Sequence, residues 1–462
     1  MSGALVSVCI PARDQARHLG GALASALAQD VGGLEVLVGD DASTDATRAV
    51  VGECWDPRVR YHRHVRPLGV AANRNSLLAR ARGRYVAWLD ADDELLPGSL
   101  ARRLALLEAR PDVAVVHGGF EVVDEHGAPL PAWPAPFDDD VIEPGADAFG
   151  ELICANELTT STVVVRRRTQ LEAGAFEPRI GRSSSDWHAW LRVALLGHVA
   201  FTAAPVARYR QHAATISRAT LASGERLRCD VRVVRHVLRG ERALIGDPRP
   251  HRARAAAALA AKALLHAGDA HSSGRRAAAV RSVALAARLD PVAVGGASAG
   301  LAAAALRGDA VAWHGLSRTV LARLAARLEG TRAGRRLSGR IAVDPAWSAR
   351  LVAIAAKVSR SVPADAHVAA VAKWDPTLLR LAGRRGRNFP DRRLLPDGYP
   401  RDGAAAVAHL EALRARGVTH LVVPCASFWW LEHYRELAAH LARRAAASWR
   451  DEDVAVFDLR SP

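Results

Sequence analysis

The stretch Arg84-Tyr85-Val86-Ala87-Trp88-Leu89-Asp90-Ala91-Asp92-Asp93-Glu94 constrains the fold of this chain more than any other. Its first half is apolar, too short for a helix and rich in β-formers, which predicts a buried strand. Four carboxylates then fall within five residues, followed by Leu95-Leu96-Pro97-Gly98. Carboxylates crowded at the end of a buried strand repel one another. Something positive should relieve that, and an oxygen-rich site suits Mg²⁺ or Mn²⁺. In open α/β sheets the carboxyl ends of strands are also where ligands bind. Taken alone, the same residues fit a solvated acidic turn.

The surrounding chain narrows the choice. Leu5-Val6-Ser7-Val8-Cys9-Ile10 is a short strand-like run ended by Pro11. Residues 15–29 place Leu19, Leu23 and Leu27 at helical spacing. Leu34-Glu35-Val36-Leu37-Val38-Gly39 reads as a second strand ending in Asp40-Asp41, and Ser43-Thr44-Asp45 offers N-cap chemistry for a helix to about Cys54. A short strand at 59–62, a helix at 69–82, the Arg84 strand, a helix at 97–110 and a strand at 113–116 follow. Strands alternating with helices predict a parallel, doubly wound α/β sheet. Two of its strands end in carboxylates, at 40–41 and 90–93, and can meet at one switch-point crevice.

Four motifs stand in register: Ser7-Val8-Cys9-Ile10-Pro11, Val38-Gly39-Asp40-Asp41-Ala42-Ser43-Thr44-Asp45, Asn73-Arg74-Asn75 and Leu89-Asp90-Ala91-Asp92-Asp93. Together they resemble a family 2 glycosyltransferase with the GT-A fold, over residues 5–215. The resemblance implies an inverting transfer of a sugar from a nucleoside-diphosphate donor, assisted by a divalent metal, Mn²⁺ or Mg²⁺. It assigns Pro11, Asp40, Asp41, Arg74, Asp90 and Arg210 to the nucleotide sugar, and Asp92, Asp90 and His212 to the metal. Asp40 or Asp41 can accept hydrogen bonds from a pyrimidine N–H or ribose hydroxyls, although Asp41 also suits a turn cap. Asp92 is the first choice as direct metal ligand, and Asp93 is a candidate to orient it. The metal would neutralise charge as the leaving group departs.

Ser183-Ser184-Ser185-Asp186-Trp187-His188-Ala189-Trp190 stands where the family carries an acidic residue opening a helix. Ser185 occupies the place where Glu is common, so the resemblance makes Asp186 the general base; its other role is an N-cap. Trp187 and Trp190 are candidates to line the acceptor site, with core packing as the alternative. Tyr209-Arg210-Gln211-His212, with Ile216-Ser217, resembles the basic segment that closes many such domains. Between these motifs, Asp138-Asp139-Asp140 in a Pro-rich loop and Arg166-Arg167-Arg168 read as solvated surface.

The second half reads differently. Residues 221–340 look helical, with a hairpin turning at Gly268-Asp269 and a linker at 330–339. From about 341 a small α/β domain closes the chain, with Phe389-Pro390, Gly398-Tyr399-Pro400 and Phe428-Trp429-Trp430-Leu431 as landmarks. The expected organisation is a GT-A domain at 1–220, a helical domain at 221–340 and an α/β domain at 341–462.

Net charge is +15 and uneven. Residues 1–220 hold about 23 Arg against about 27 acidic residues, while the remainder holds about 40 basic and about 21 acidic ones. The basic half suits peripheral contact with an anionic membrane. No helix-turn-helix, zinc-finger or RNP-type pattern points to nucleic acid. Five scattered Cys without a Cys-x-x-Cys exclude a zinc or disulfide framework. Met1-Ser2-Gly3-Ala4 has no basic n-region and residues 292–306 are too short to span a bilayer, so a cytoplasmic enzyme is expected. Its acceptor would be a glycan or a lipid-linked hydroxyl. Two rival readings are a sugar-nucleotide nucleotidyltransferase and a non-catalytic nucleotide-sugar-binding scaffold.

Overall fold

The computed structural model describes residues 5–130, 133, 135–212, 215, 219–220, 223–308, 310–341, 345–371, 385–389, 400–445 and 448–460. The chain divides into two compact units, residues 1–259 with 331–333, and residues 260–330 with 334–462.

The first unit is built on one sheet. Its strands are β1 (Val6–Ala12), β2 (Leu34–Asp40), β3 (Val59–Arg63), β4 (Tyr85–Trp88), β5 (Glu94–Leu95), β6 (Val113–Val123), β7 (Val141–Glu143), β8 (Val164–Arg166) and β9 (His198–Arg210). They lie in the order β3-β2-β1-β4-β8-β6-β9-β5, with β7 on β9. The strands β3, β2, β1 and β4 are parallel, as the alternation predicts. Beyond β4 the sheet is mixed: β8 runs antiparallel to both β4 and β6, while β6 and β9 are parallel. The three-residue strand β8 carries no periodicity that could announce its insertion.

Helices α1 (Ala16–Leu27), α2 (Thr47–Gly52), α3 (Val70–Arg80), α4 (Ser99–Ala109), α5 (Gly145–Leu152), α6 (Arg167–Ala173), α7 (Ser185–Ala194) and α8 (Glu225–Gly240) belong to this unit. Side chains alternate across a strand. So Val6, Val8 and Ile10 of β1 share one core with Val36 and Val38 of β2 and with Leu19 and Leu23 of α1. On the other face α3 approaches β2 so closely that a Cβ at Gly39 would lie 2.5 Å from Asn73 Oδ1. Asn73 Nδ2 donates to Gly39 O at 2.7 Å, which fixes α3 at the carboxyl end of β2.

The expected linker at 330–339 is instead helical over Arg332–Ile341. Arg332 is 6% exposed because its guanidinium meets Glu143 at 2.5 Å and Glu157 at 2.8 Å. The helical hairpin turns later than expected. One helix runs Pro248–Ser272 through Gly268, and the break falls at Gly274, whose φ of 78° suits only a residue without Cβ.

In the second unit a five-stranded sheet joins β10 (His367–Ala370), β11 (Arg385–Asn388), β12 (His420–Pro424), β13 (Ser448–Arg450) and β14 (Val454–Asp458) in the order β11-β10-β12-β14-β13. Both faces are covered. Val368, Ala370, Val422, Val454 and Val456 pack with Ile354 and Val358, whereas Ala369, Val371, Leu421, Val423 and Ala455 pack with Leu410, Trp430 and Leu437. Trp430 is therefore a core residue. Residues 216–217, 390 and 398–399 of the sequence landmarks lie outside the described residues. Helix Pro291–Arg307 buries Leu301 and Ala304 but exposes Val292 and Leu306, so it is one-sided. No helix among the described residues is long and apolar enough to cross a membrane.

Two buried histidines of the first unit make stability pH-dependent. Burial, reinforced by nearby positive groups, pushes His117 down to about 3 and His188 down to about 4. The unfolded chain begins to protonate these rings near 6.5, while the folded one refuses the protons. Their contribution is complete above that value and is lost as pH falls from there towards 4 and then 3. The Tm should fall between about pH 7 and pH 5, and His117→Gln with His188→Gln should flatten that slope. An unchanged slope in the double variant would show that the two rings do not carry it.

Candidate active site

The acid loop leaves the sheet where β4 ends. Leu89 N donates to Cys9 O, and Trp88 and Leu89 are fully buried, so Asp90 emerges beside the end of β1. Asp93 N closes a turn onto Asp90 O at 3.0 Å. The carboxylates then separate. Asp90 pairs with Arg74 at 2.8 Å. Asp92 Oδ2 lies 3.0 Å from His212 Nε2. Asp93, 1% exposed, accepts from Ser161 Oγ at 2.5 Å and from Arg210 N at 2.8 Å.

Crowding persists despite these partners. Burial raises Asp90, Asp92 and Asp186 raise it further, and Arg74 opposes them. Asp93 is pushed well above the usual carboxylate range by burial and by Asp92 and Asp90. The negative charge of Asp186 is thus felt at Asp90, a residue nearly a hundred positions away in sequence.

Asp186 sits in the first turn of α7. Its Oδ2 accepts from Thr160 Oγ1 at 3.2 Å and lies 3.4 Å from Asn156 Nδ2. The next residue, Ser161, donates to Asp93 and accepts from Asp90 N at 3.1 Å. Adjacent residues of one short 3₁₀ turn, Thr160–Thr162, therefore join Asp186 to the acid loop. That turn is held from below by Arg103, 1% exposed, whose guanidinium donates to Thr162 O at 2.6 Å.

Asp90, Asp92, Asp186, Arg74 and His212, all named from the sequence, are brought together. Pro11 lies at the end of β1, in register with Gly39. Other residues named from the sequence have partners within the protein. Asp40 is fully buried, accepting from Tyr61 Oη at 2.5 Å and from Ser43 N at 2.8 Å, so it builds the turn. Asp41, 3% exposed, accepts from Leu68 N and Gly69 N, which makes it the anchor of the loop entering α3. Arg210 is turned onto the protein: it donates to Asp92 O at 3.0 Å and pairs with Glu94 at 2.7 Å, so it braces the acid loop. Trp187 and Trp190 are 1% and 0% exposed, and Trp187 Nε1 donates to Leu152 O, so both pack in the core, the alternative the sequence left open. Arg166 likewise donates to Val113 O at 2.7 Å and is no solvated corner.

Sequence reasoning missed Asn156, Thr160 and Ser161. The polar run Thr159-Thr160-Ser161-Thr162 just before a strand was their one signal. It also missed His18, on α1, whose ring lies 5.2 Å from that of His212.

Among the described residues, no group of three or more His, Cys, Asp or Glu side chains is arranged to hold a metal ion. Mg²⁺ needs less than that, because it is commonly bound through one or two carboxylates with water and substrate phosphates completing its shell. The Asp92 carboxylate beside the His212 imidazole, in a loop with surplus negative charge, fits a divalent cation of this kind.

The model of Glycosyl transferase family 2 matches residues 7–135. EpsE of Bacillus subtilis is 30% identical over 199 residues, covering 41% of this chain and 67% of its own length. UDP-Glc:alpha-D-GlcNAc-diphosphoundecaprenol beta-1,3-glucosyltransferase WfgD of Escherichia coli is 29% identical over 126 residues, 27% of this chain and 49% of that protein. Among solved structures, S. aureus TarS aligns with a TM-score of 0.47 at 17% identity, covering 68% of this chain and 55% of that one. The chain spans about half the length, 51%, of the mycobacterial relatives that it matches at 30% identity. Two-thirds of EpsE spanned at that identity, together with the family match across the first four parallel strands and the acid loop, establishes that the chain belongs to glycosyl transferase family 2.

Proposed function

We propose that the chain is an inverting glycosyltransferase that moves a sugar from a nucleoside-diphosphate sugar to a hydroxyl of a glycan or lipid-linked acceptor. The observation that carries this reading is the Thr160-Ser161 bridge, which puts a carboxylate at a helix start and an acid loop on one site. The name of WfgD specifies a UDP-glucose donor and a diphosphoundecaprenol-linked acceptor. On that precedent the donor proposed here is UDP-linked. The basic balance of residues 221–462 suits an acceptor held at an anionic surface.

Asp186 takes the proton of the acceptor hydroxyl as that oxygen attacks the anomeric carbon. Among the described residues both donors to this carboxylate reach Oδ2, so Oδ1 is the oxygen offered to the acceptor. The new bond joins acceptor oxygen to the anomeric carbon. The bond from that carbon to the diphosphate breaks, and its electron pair leaves with the nucleoside diphosphate. Asp92 and His212 are the residues that would hold Mn²⁺ or Mg²⁺, which when bound offsets the charge growing on the leaving group. Arg74 pairs with Asp90 and opposes the rise that burial and the acidic neighbours impose on it.

The test is a panel of nucleotide sugars incubated with the protein and Mn²⁺ or Mg²⁺, without acceptor. Slow release of nucleoside diphosphate from a UDP-sugar is the expected result. Release of pyrophosphate, or no turnover of any donor with acceptor extracts added, would count against the reading.

A further inference from the structure

The helix that bears Asp186 rests on a second helix that lies beyond the family motifs. Four residues leading into α7, at 180, 181, 182 and 184, touch α8. Arg232 donates to Ile180 O at 3.4 Å. Gly181, at φ 110°, approaches so closely that a Cβ there would lie 2.6 Å from Cys229 Sγ. Arg182 pairs with Glu225 at 3.0 Å. Ser184 Oγ then donates to Asp230 Oδ1 at 2.8 Å, in the interior.

The contact continues along the helix. Residues 184, 188 and 192 recur every fourth position and so share one face. His188 Nε2 meets His236 Nδ1 at 2.9 Å, and Arg192 pairs with Glu241, just past the end of α8, at 2.7 Å. The opposite side of α7 packs Trp190 against Phe176. Asp186, four residues before Trp190, sits on that opposite side, in the first turn.

Ser184 is the informative residue. It occupies the N-cap position of α7, where a serine hydroxyl usually accepts a helix N–H. Here it makes no cap bond and gives its hydroxyl to Asp230 instead. A carboxylate only 3% exposed, on a different helix, takes what would otherwise stabilise the first turn locally. The position of that turn, and of Asp186 two residues on, is thereby set from α8.

We infer that Asp230, on α8, and Ser184 are positioning residues that hold the Asp186 carboxylate in place. This rests on Asp186 being the base. Asp230 and Ser184 touch no reacting atom; they fix where the helix begins. A misplacement of about 1 Å at a catalytic group can cost about 100-fold in rate.

The experiment measures kcat, donor Kd and Tm for Ser184→Ala, Asp230→Ala and the double variant, beside Asp186→Asn and Val237→Ala. Val237 is a fully buried apolar residue of α8 and makes none of the polar contacts, so its variant reports plain destabilisation. The expected result is a kcat lowered about 10- to 100-fold in each single variant, with donor Kd unchanged. The double variant should be no slower than the worse single one, because both remove one interaction. Val237→Ala, assayed where it is folded, should keep its kcat. Unchanged kcat in Ser184→Ala and Asp230→Ala while Asp186→Asn is inactive overturns the inference and leaves the base assignment standing. Equal losses in Val237→Ala at matched Tm also overturn it. Full activity in Asp186→Asn overturns the base assignment instead. If Asp230→Ala does not fold, Ser184→Ala, which removes a single hydroxyl, decides alone.

Discussion

Asp186→Asn should bind donor as the unaltered protein does and turn it over about 10² to 10⁴ times more slowly. The substitution keeps the size of the side chain and its contacts with Thr160 and Asn156, but removes the lone pair that takes the acceptor's proton. Donor affinity should survive, since the proposed role of Asp186 is toward the acceptor. Isothermal titration with a UDP-sugar and single-turnover transfer on the same preparation separate the two effects. Loss of binding with turnover per bound donor intact would move Asp186 to the donor side and leave the reaction without its base.

The second large effect is expected at Asp92. Asp92→Asn removes the charge that faces His212 while the backbone bond from Arg210 to Asp92 O persists, so the loop should keep its shape. Both donor affinity and turnover should fall, the latter by about 10² to 10³-fold, the scale of losing one preorganised electrostatic contact. The Mn²⁺ concentration needed for half-maximal activity should rise as well. Asp93→Asn offers a contrast. Asp93 is committed to Ser161 and Arg210 N, so its loss should register in stability more than in metal dependence. An Asp92→Asn enzyme with an unaltered Mn²⁺ titration would place the cation elsewhere.

The two predictions draw on parts of the site that were unequally legible. The strands ending in Asp40-Asp41 and Asp90–Asp93 could be read from short apolar runs stopped by acids, because a buried parallel strand needs an unbroken apolar sequence. What those acids do was harder to read. Asp40 and Asp41 share a motif with ligand-binding acids but spend their oxygens on Tyr61, Ser43, Leu68 and Gly69, partners supplied by turns with no periodic signature. Arg210 was expected to reach outward, yet an Arg beside Glu94 and a free backbone carbonyl finds its partners at home. Trp187 and Trp190 flank Asp186 in sequence, but α7 is buried on nearly every side and both rings lie in the core.

The least legible feature is the link between the two halves of the site. Thr160 and Ser161 sit in a three-residue turn, and α8 starts after the last family motif. Small polar residues gain meaning only when the strand that follows them, β8, is known to lie between β4 and β6. Sequence periodicity reports local structure and says little about such insertions.

A crystal structure with UDP and Mn²⁺ bound bears most directly on whether Asp92 and Asp186 serve one reaction. The account predicts the cation on Asp92, the diphosphate against it, and an open path from the β-phosphate to Asp186 wide enough for one sugar ring. A nucleotide seated away from the acid loop, or a wall of protein between it and Asp186, would contradict it.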